Sequence, residues 1–512
     1  MMNLWLLLPE LTYLVNLTYN KLTDRVKILF THSYFLRFDP KQWETAAPYP
    51  PLATLYAAAY LRENGHQVLL HDVQFEQGPD TIAEKLKNEN PDALVIYDDG
   101  FNYLTKMCLT NMREAAFSMQ QLAREAGCKV IVSSSDATDH AENYLDNGAD
   151  YIIIGEAEQT LLELINAIEQ NKAAEQIRGL TYIQNDTLHN TGKREVLRDL
   201  DTLPLPAWDL VNIKPYRDMW LKNHGYFSLN MVTTRGCPYK CNWCAKPIYG
   251  NRYNTHSPEN IAALIEQLQQ KFQFSHIWFA DDIFGLKPGW LADFNKAVKD
   301  RKLNFRYKIQ SRADLLLQED NIRHLAESGC DMVWMGAESG SQKILDAMDK
   351  GTKVEQIAEA TRLLKKHNIK PAFFLQFGYP GETMEDIKKT VSMVNNLLPY
   401  DIGISVSYPL PGTVFYERVK SELKTKTNWT DSDELALMFS NTYKPTFYKQ
   451  LHRFIHKSYR KHQSLSLLRN PFVSMRSRTN LRRMLALPFY HFSAAAEKRK
   501  LINTEPDAAR SL

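Results

Sequence analysis

From Val26 onward, short apolar runs alternate with stretches whose apolar positions recur every three or four residues, the pattern of parallel strands covered by helices. Residues 26–31, 67–71, 93–97, 129–133 and 151–154 read as five strands, and 52–63, 81–88, 111–125, 141–147 and 159–170 as the helices that follow them. This predicts an α/β, Rossmann-like domain, but no Gly-x-Gly-x-x-Gly follows the first strand, so a nicotinamide site is not expected. Pro204 and Pro206 interrupt any regular element between Asp199 and Val211, which reads as a linker. A second series then begins, with strands at 228–233, 276–279, 305–309, 332–336, 372–377 and 402–407 and helices near 258–271, 290–300, 320–327, 353–367 and 384–397. Six βα repeats are too few to close an eight-stranded barrel, so a partial (β/α)6 TIM-type barrel is expected, with its chemistry at the C-terminal strand ends. The resulting organisation is an N-terminal extension (1–25), a Rossmann-like domain (26–198), a linker (199–225), the partial barrel (226–412) and a C-terminal helical basic region (413–512).

Composition narrows the picture only modestly. With 44% hydrophobic and 24% charged residues, the 512-residue chain suits two or three globular domains rather than disorder. A formal charge of +3 is too mild to demand nucleic acid, and no nucleic-acid partner is expected. Charge is concentrated at the far end: from Asn441 there are roughly fifteen Lys and Arg against about three acidic residues, with aromatics interleaved. That region reads either as a solvated helical cap over the barrel or as a peripheral contact with an anionic membrane surface or an acidic substrate. The first fifteen residues are apolar, yet they include Glu10, lack a basic start and contain no run of about 18 apolar residues, so they fit neither a signal peptide nor a membrane span. They read as a loose extension or an early start codon. Six cysteines, only three of them clustered, make poor disulfide arithmetic and place the chain in a reducing, cytoplasmic compartment.

The clustered three carry the chemistry. Cys237, Cys241 and Cys244 form C-x3-C-x2-C directly after the first strand of the second series, in a loop that a strand end projects into the barrel mouth. Three thiolates in so short a segment can wrap one part of a [4Fe-4S] cubane and leave one iron without a protein ligand. S-adenosylmethionine (SAM) can chelate that iron through its amino and carboxylate groups. A structural zinc site or a plain electron-transfer cluster would each require a fourth ligand. Neither His224 nor His256 has conventional zinc spacing, although a remote ligand keeps both alternatives open.

On these residues the stretch from Met231 to about Glu417 resembles the radical SAM superfamily. The resemblance implies that Trp243, inside the cysteine loop, lies against the adenine. It implies that Ala280, Asp281 and Asp282, ending the second barrel strand, meet the methionine amino group. Ser311 and Arg312, ending the third, would take the SAM carboxylate, and Glu338, ending the fourth, the ribose hydroxyls. Gly378 and Gly381 of Gly-Tyr-Pro-Gly-Glu, after the fifth, would let backbone approach the adenine. Taken singly, each is equally a helix cap, a surface ion pair or a turn. Their succession at strand ends favours the SAM site.

The front segment, about Val26 to Gln170, resembles the cobalamin-binding domain of cobalamin-dependent radical SAM enzymes. Gly155-Glu156-Ala157-Glu158 is similar to that family's GE-x-E signature, and Leu203 to Asp209 to its inter-domain linker. The resemblance implies that Tyr97, Asp98, Asp99 and Gly100, with Ser133, Ser134 and Ser135, occupy loops facing the corrin, together with Gly155 and Glu156. Modules that ligate cobalt through histidine carry D-x-H-x-x-G after the first strand; here that place reads Thr31-His32-Ser33-Tyr34. His32 is therefore read as a hydrogen-bonded structural residue, and cobalamin is expected without a histidine ligand. Asp139-His140, after the fourth strand, reads as a helix start.

The family likeness implies an enzyme that cleaves SAM to a 5'-deoxyadenosyl radical, using electrons from an external donor such as flavodoxin or ferredoxin. The radical would take hydrogen from an unactivated carbon, and methylcobalamin would methylate that carbon. Ring formation or skeletal rearrangement, as in the resembling anaerobic tetrapyrrole cyclases, is the second reading, and a non-catalytic cobalamin or redox sensor the third. The substrate is an unspecified small molecule. Trp278, Trp334, Phe374 and Tyr408 read as the lining of a hydrophobic cavity or as core packing, and no catalytic side chain is assigned beyond the cluster cysteines.

Overall fold

A computed structural model describes residues 26–106, 109–423, 428–469 and 478–505. The expected N-terminal extension and Cys108 lie outside those residues. The chain forms two compact units: one runs to Met219 and includes Pro247–Tyr249, the other comprises Trp220–Lys246 and everything from Gly250.

The first unit is built on a seven-stranded sheet of order β2-β1-β3-β4-β5-β6-β7. Strands β1 (Lys27–Thr31), β2 (Gln67–His71), β3 (Ala93–Tyr97), β4 (Lys129–Ser133) and β5 (Tyr151–Ile153) are parallel. The central β3 reads Ala-Leu-Val-Ile-Tyr and is buried on both faces, as a helix-covered parallel strand must be. Helices fill the predicted intervals, among them Leu52–Glu63, Thr110–Glu125 and Glu158–Glu169. An antiparallel hairpin of β6 (Leu180–Gln184) and β7 (Thr187–Asn190) extends the sheet beyond the five expected strands. Its two-residue turn, Asn185-Asp186, has φ values of 49° and 55°, the left-handed conformation a tight hairpin demands and Asn and Asp tolerate.

The second unit carries six parallel strands in the order β15-β14-β13-β12-β11-β8: β8 (Ser228–Met231), β11 (His276–Phe279), β12 (Arg306–Ser311), β13 (Cys330–Glu338), β14 (Lys370–Phe377) and β15 (Asp401–Val406). Each strand pairs with the next in this series, the topology of an open barrel. Between β8 and β11 a small ribbon of β9 (Thr234–Arg235) and β10 (Asn254–Thr255) pairs antiparallel. The period-two pattern divides the barrel strands. Tyr307, Ile309, Val333, Met335, Phe373 and Leu375 are buried under the helices, whereas Lys308, Gln310, Trp334 and Phe374 alternate with them and are only half-buried, lining the concave face. Trp334 and Phe374 stack there with centroids 4.7 Å apart, as lining residues, while Tyr408 packs edge-on against Trp429 at 4.9 Å in the core. The expected linker also contains a helix, Ile213–His224.

The basic C-terminal region is helical and packs on the open edge of the barrel. In the helix Pro445–Leu467, Tyr459 Oη donates to Pro399 O at 2.7 Å and Arg460 pairs with Asp401 at 3.0 Å. The same region covers the Gly-Tyr-Pro-Gly-Glu turn after β14: Asn441 Nδ2 donates to Gly378 O, and a Cβ on Gly378 would meet Leu437, Asn441 and Tyr448 at 3.2–3.3 Å. Beneath this turn Glu382 is fully buried. Its Oε2 accepts from Gly378 N at 2.6 Å while Oε1 has no partner, and burial raises its carboxyl to about 8. A raised folded-state pKa stabilises most below the ordinary carboxylate range and is lost as pH rises through the folded value. E382Q, which keeps the shape and removes the titration, should therefore gain in melting temperature over wild type progressively from pH 5 to pH 8. Parallel melting curves across that range would contradict the assignment.

Candidate active site

The cysteine loop is the excursion of the β9-β10 ribbon, and its base is pinned by one carboxylate. Asp281 Oδ1 accepts from Thr233 N at 2.7 Å, Thr234 N at 2.8 Å and Thr234 Oγ1 at 3.1 Å, and Oδ2 accepts from Thr233 Oγ1 at 2.8 Å. Burial raises this carboxyl to about 7 against the pull of those four donors. Asp281 thus ties the end of β11 to the entrance of the loop, a different task from the SAM contact expected of it. Ala280 is buried beside it, its N–H donating to Met231 O at 2.8 Å, whereas Asp282 is exposed and close enough to Cys237 to disfavour the thiolate. At the first turn Gly236 has φ of 82°, and a Cβ there would lie 2.4 Å from Arg252 O across the ribbon.

The far side of the loop is held from β12, β13 and β14. Arg312 lays its guanidinium over the Tyr239 ring at 3.8 Å, and its Nη1 contacts Cys241 Sγ at 3.8 Å. Its remaining donors reach Lys350 O at 2.7 Å, Thr352 Oγ1 at 3.1 Å and Asp314 at 3.0 Å. The arginine expected to take the SAM carboxylate is here committed to the cysteine loop itself, with Ser311 buried next to it. Asn242, between Cys241 and Trp243, is the main tether: its Nδ2 donates to Ala347 O and Asp349 Oδ2, both at 2.8 Å, its N–H to Met348 O at 3.1 Å, and its Oδ1 accepts from Tyr379 Oη at 2.8 Å. Neither Asn242 nor Tyr379 was among the expected residues, though Asn242 stands inside the motif.

Glu338, with φ of 56° at a bulge in β13, accepts from Lys350 Nζ at 2.8 Å, and both side chains are buried. Burial pulls the Lys350 ammonium down, but the charges of Glu338 and Cys241 outweigh it and hold the group above the ordinary lysine range. Its Nζ also lies 5.9 Å from the Trp243 ring centroid. Lys350 is a third unpredicted member of the site, and it places a second cation beside Cys241. The Trp243 indole N–H is buried without an acceptor, a polar atom awaiting a ligand. Gly381 has open space around its Cα, whereas Gly378 is covered by the C-terminal region.

Cys237 is buried and Cys241 and Cys244 half-buried, and the five described cysteines are all unbridged. As the side chains stand, no three His, Cys, Asp or Glu among the described residues already converge as a metal group. The donor set nonetheless fits an iron-sulfur cluster: three thiols on one short loop, one of them buried and two half-buried, with two cations near Cys241. Cys330 opens β13 at the opposite strand end from the loop, so it is not placed to supply a fourth thiolate on the barrel mouth.

In the first unit, the residues expected to face cobalamin are occupied internally. Asp98 accepts from Ser33 N at 2.7 Å and Ser33 Oγ at 2.9 Å, and Asp99 accepts from Ala53 N at 3.4 Å and Phe101 N at 3.1 Å, burial raising it to about 6. Ser134 caps the helix Ser135–Asp139 through Ala137 N, Ser133 O receives Asp98 N, and Glu156 receives Leu197 N. Tyr97, Ser133 and Ser135 are buried, and Gly155 has φ of 80°. His32 is hydrogen-bonded to Asp72 at 3.0 Å, and Tyr216 Oη donates to the other Asp72 oxygen at 2.8 Å, the structural role expected of that histidine. At these strand ends the polar side chains brace their own loops, and Asp98 and Asp99 are buried.

Comparisons with known proteins agree with this arrangement. The radical SAM superfamily matches residues 231–394, and the B12 binding domain family matches residues 44–165. The chain belongs to the radical SAM enzymes that carry a cobalamin-binding domain. Its cofactors are accordingly a [4Fe-4S] cluster, SAM and cobalamin. It is 27% identical to an uncharacterized methyltransferase of Pyrococcus horikoshii over 74% of this chain and 81% of that protein. It is 26% identical to the anaerobic magnesium-protoporphyrin IX monomethyl ester cyclase of Synechocystis over 62% of this chain and 63% of the cyclase. Among solved structures, the cobalamin-dependent SAM radical enzyme OxsB superposes with a TM-score of 0.73 at 17% identity, over 95% of this chain and 74% of OxsB. No helix among the described residues is long and apolar enough to cross a membrane.

The loop's dependence on Gly236 is directly testable. G236A forces a Cβ into the Arg252 carbonyl, so after anaerobic reconstitution its iron and sulfide content should fall to a small fraction of wild type. G250A, in the same loop with φ of 65° and nothing within 4 Å, should keep most of its iron. Equal loading of the two variants would show that the ribbon geometry does not govern the site.

Proposed function

We propose that this enzyme methylates an unactivated carbon of a hydrophobic small molecule. The observation that carries the reading is the cysteine loop, clamped at its base by Asp281 and flanked at Cys241 by Arg312 and Lys350. Cys237, Cys241 and Cys244, carried on one short loop between β9 and β10, would hold the cluster. When bound, the reduced cluster cleaves SAM to generate a hydrogen-abstracting radical and the corrin supplies a transferable methyl group.

The chain's own residues hold this chemistry in place. Arg312 and Lys350 stand near Cys241, each held in an ion pair. The Trp243 face and its unpartnered N–H, with the open surround of Gly381, offer a flat surface and a donor suited to a nucleobase. Asp282, exposed beside Cys237, stands at the strand end where a carboxylate would meet the methionine amino group. Trp334 and Phe374, stacked on the concave face, favour an apolar substrate. An external one-electron donor such as flavodoxin or ferredoxin would supply the electrons for each turnover, and a second SAM the methyl group that replaces the one transferred. The likeness to a methyltransferase over most of both chains supports methyl transfer, and the likeness to the magnesium-protoporphyrin ester cyclase supports ring formation as the second reading.

Anaerobically reconstituted protein, given dithionite and SAM, should form 5'-deoxyadenosine, and C237A, C241A and C244A should each abolish it. Candidate apolar substrates should gain one methyl group in mass. Loss of hydrogen from the product without a methyl gain would favour cyclisation. Absence of 5'-deoxyadenosine from iron-loaded wild-type protein with every substrate tried would overturn both.

A further inference from the structure

The helix Leu487–Thr504 is apolar on two faces, and only one of them is covered. Ala494 and Leu501 are buried against the helix Pro445–Leu467. On the outer side of this helix, and on the helix Arg478–Leu485 before it, stand Leu481, Leu485, Phe489 and Phe492. Leu481 and Leu485, four apart, share one face of the first helix, and Phe489 and Phe492, three apart, share one face of the second. Leu485 is 73% exposed, Phe492 72% and Phe489 59%, the three most exposed large apolar side chains among the described residues. Singly exposed apolar residues need no explanation, but paired ones of this kind mark an interaction surface.

Charge identifies the partner. Arg482 stands exposed within the first helix, Arg499 is exposed seven residues beyond Phe492, and Lys457 reaches from the neighbouring helix to 5.0 Å from the Phe489 ring. The one acid within Leu487–Thr504, Glu497, is turned toward Gln450 and Lys500. An aromatic and aliphatic ridge with a basic rim fits an anionic lipid surface, where ring and leucine side chains enter the acyl boundary and the cations meet phosphates. Neither helix is long and apolar enough to cross a membrane, so the ridge would lie in the plane of the interface.

We propose that Leu481, Leu485, Phe489 and Phe492, rimmed by Lys457, Arg482 and Arg499, dock this enzyme on the surface of an anionic bilayer. The proposal stands apart from the reaction assigned to the barrel mouth. Full-length protein is to be sedimented with vesicles of phosphatidylcholine alone and of phosphatidylcholine mixed with phosphatidylglycerol, with iron content and circular dichroism recorded for every variant. Wild type should sediment with the anionic vesicles and progressively less as salt is raised. The double variant L485E/F492E should lower the bound fraction by roughly tenfold or more, and R482Q/R499Q, which leaves the ridge intact, should lower the preference for anionic vesicles by about tenfold. No binding by wild type to either vesicle would overturn the proposal, as would binding that R482Q/R499Q leaves unchanged. A wild-type dimer in light scattering that becomes monomeric in L485E/F492E, without vesicle binding, would overturn it in favour of contact between copies.

Discussion

The cysteine loop has no core of its own, so its shape is imposed by polar contacts from the barrel strands around it. Asp281 gives four hydrogen-bond acceptor contacts to two adjacent threonines at the loop entrance. Arg312 grips Tyr239 and Cys241 from one side, and Asn242 ties the middle of the loop to the chain following the helix Gln342–Ala347. Buried hydrogen bonds of this kind cost little to keep and much to break, because each lost partner leaves a desolvated polar group behind. The loop that carries the three thiols is thereby tied at its entrance and its middle, which is what a site assembled around an inorganic cluster requires.

The same residues show why a motif's chemistry and its geometry separate. Arg312 and Glu338 stand at the strand ends where the family likeness implies contacts to SAM, yet both are engaged within the protein: Arg312 with the loop, Glu338 with Lys350. The consequence is electrostatic. Two cations stand near Cys241, each already paired with a carboxylate, Arg312 with Asp314 and Lys350 with Glu338, so the field there is that of two ion pairs and not of net positive charge. The front unit follows a parallel logic, with Asp98, Asp99 and Ser134 consumed in bracing their own strand-end loops.

Much of this was legible in the sequence. The eleven expected strands correspond to observed ones to within about three residues at either end, because each is an apolar run bounded by polar turns. The hairpin of β6 and β7 escaped because β7 is only four residues long, mostly polar and exposed at the sheet edge, and β6 is buried over just its first three residues, although Asn185-Asp186 carried the turn signal. The β9-β10 ribbon is too short to have a period. Cys237, Cys241 and Cys244 were plain from spacing. Lys350 and Asn242 were not, because their importance comes from where the fold brings them: a lysine in an ordinary polar stretch gives no sign that it will be buried against a glutamate twelve residues earlier.

The central claim is a cubane held by three thiolates with one iron open to SAM. Electron paramagnetic resonance of the dithionite-reduced, reconstituted protein addresses it most directly. The account predicts the spectrum of a single reduced [4Fe-4S] centre whose g-values shift when SAM is added, because the nucleotide joins the open iron. A cluster spectrum unaltered by saturating SAM, or the absence of any iron-sulfur signal, would contradict it.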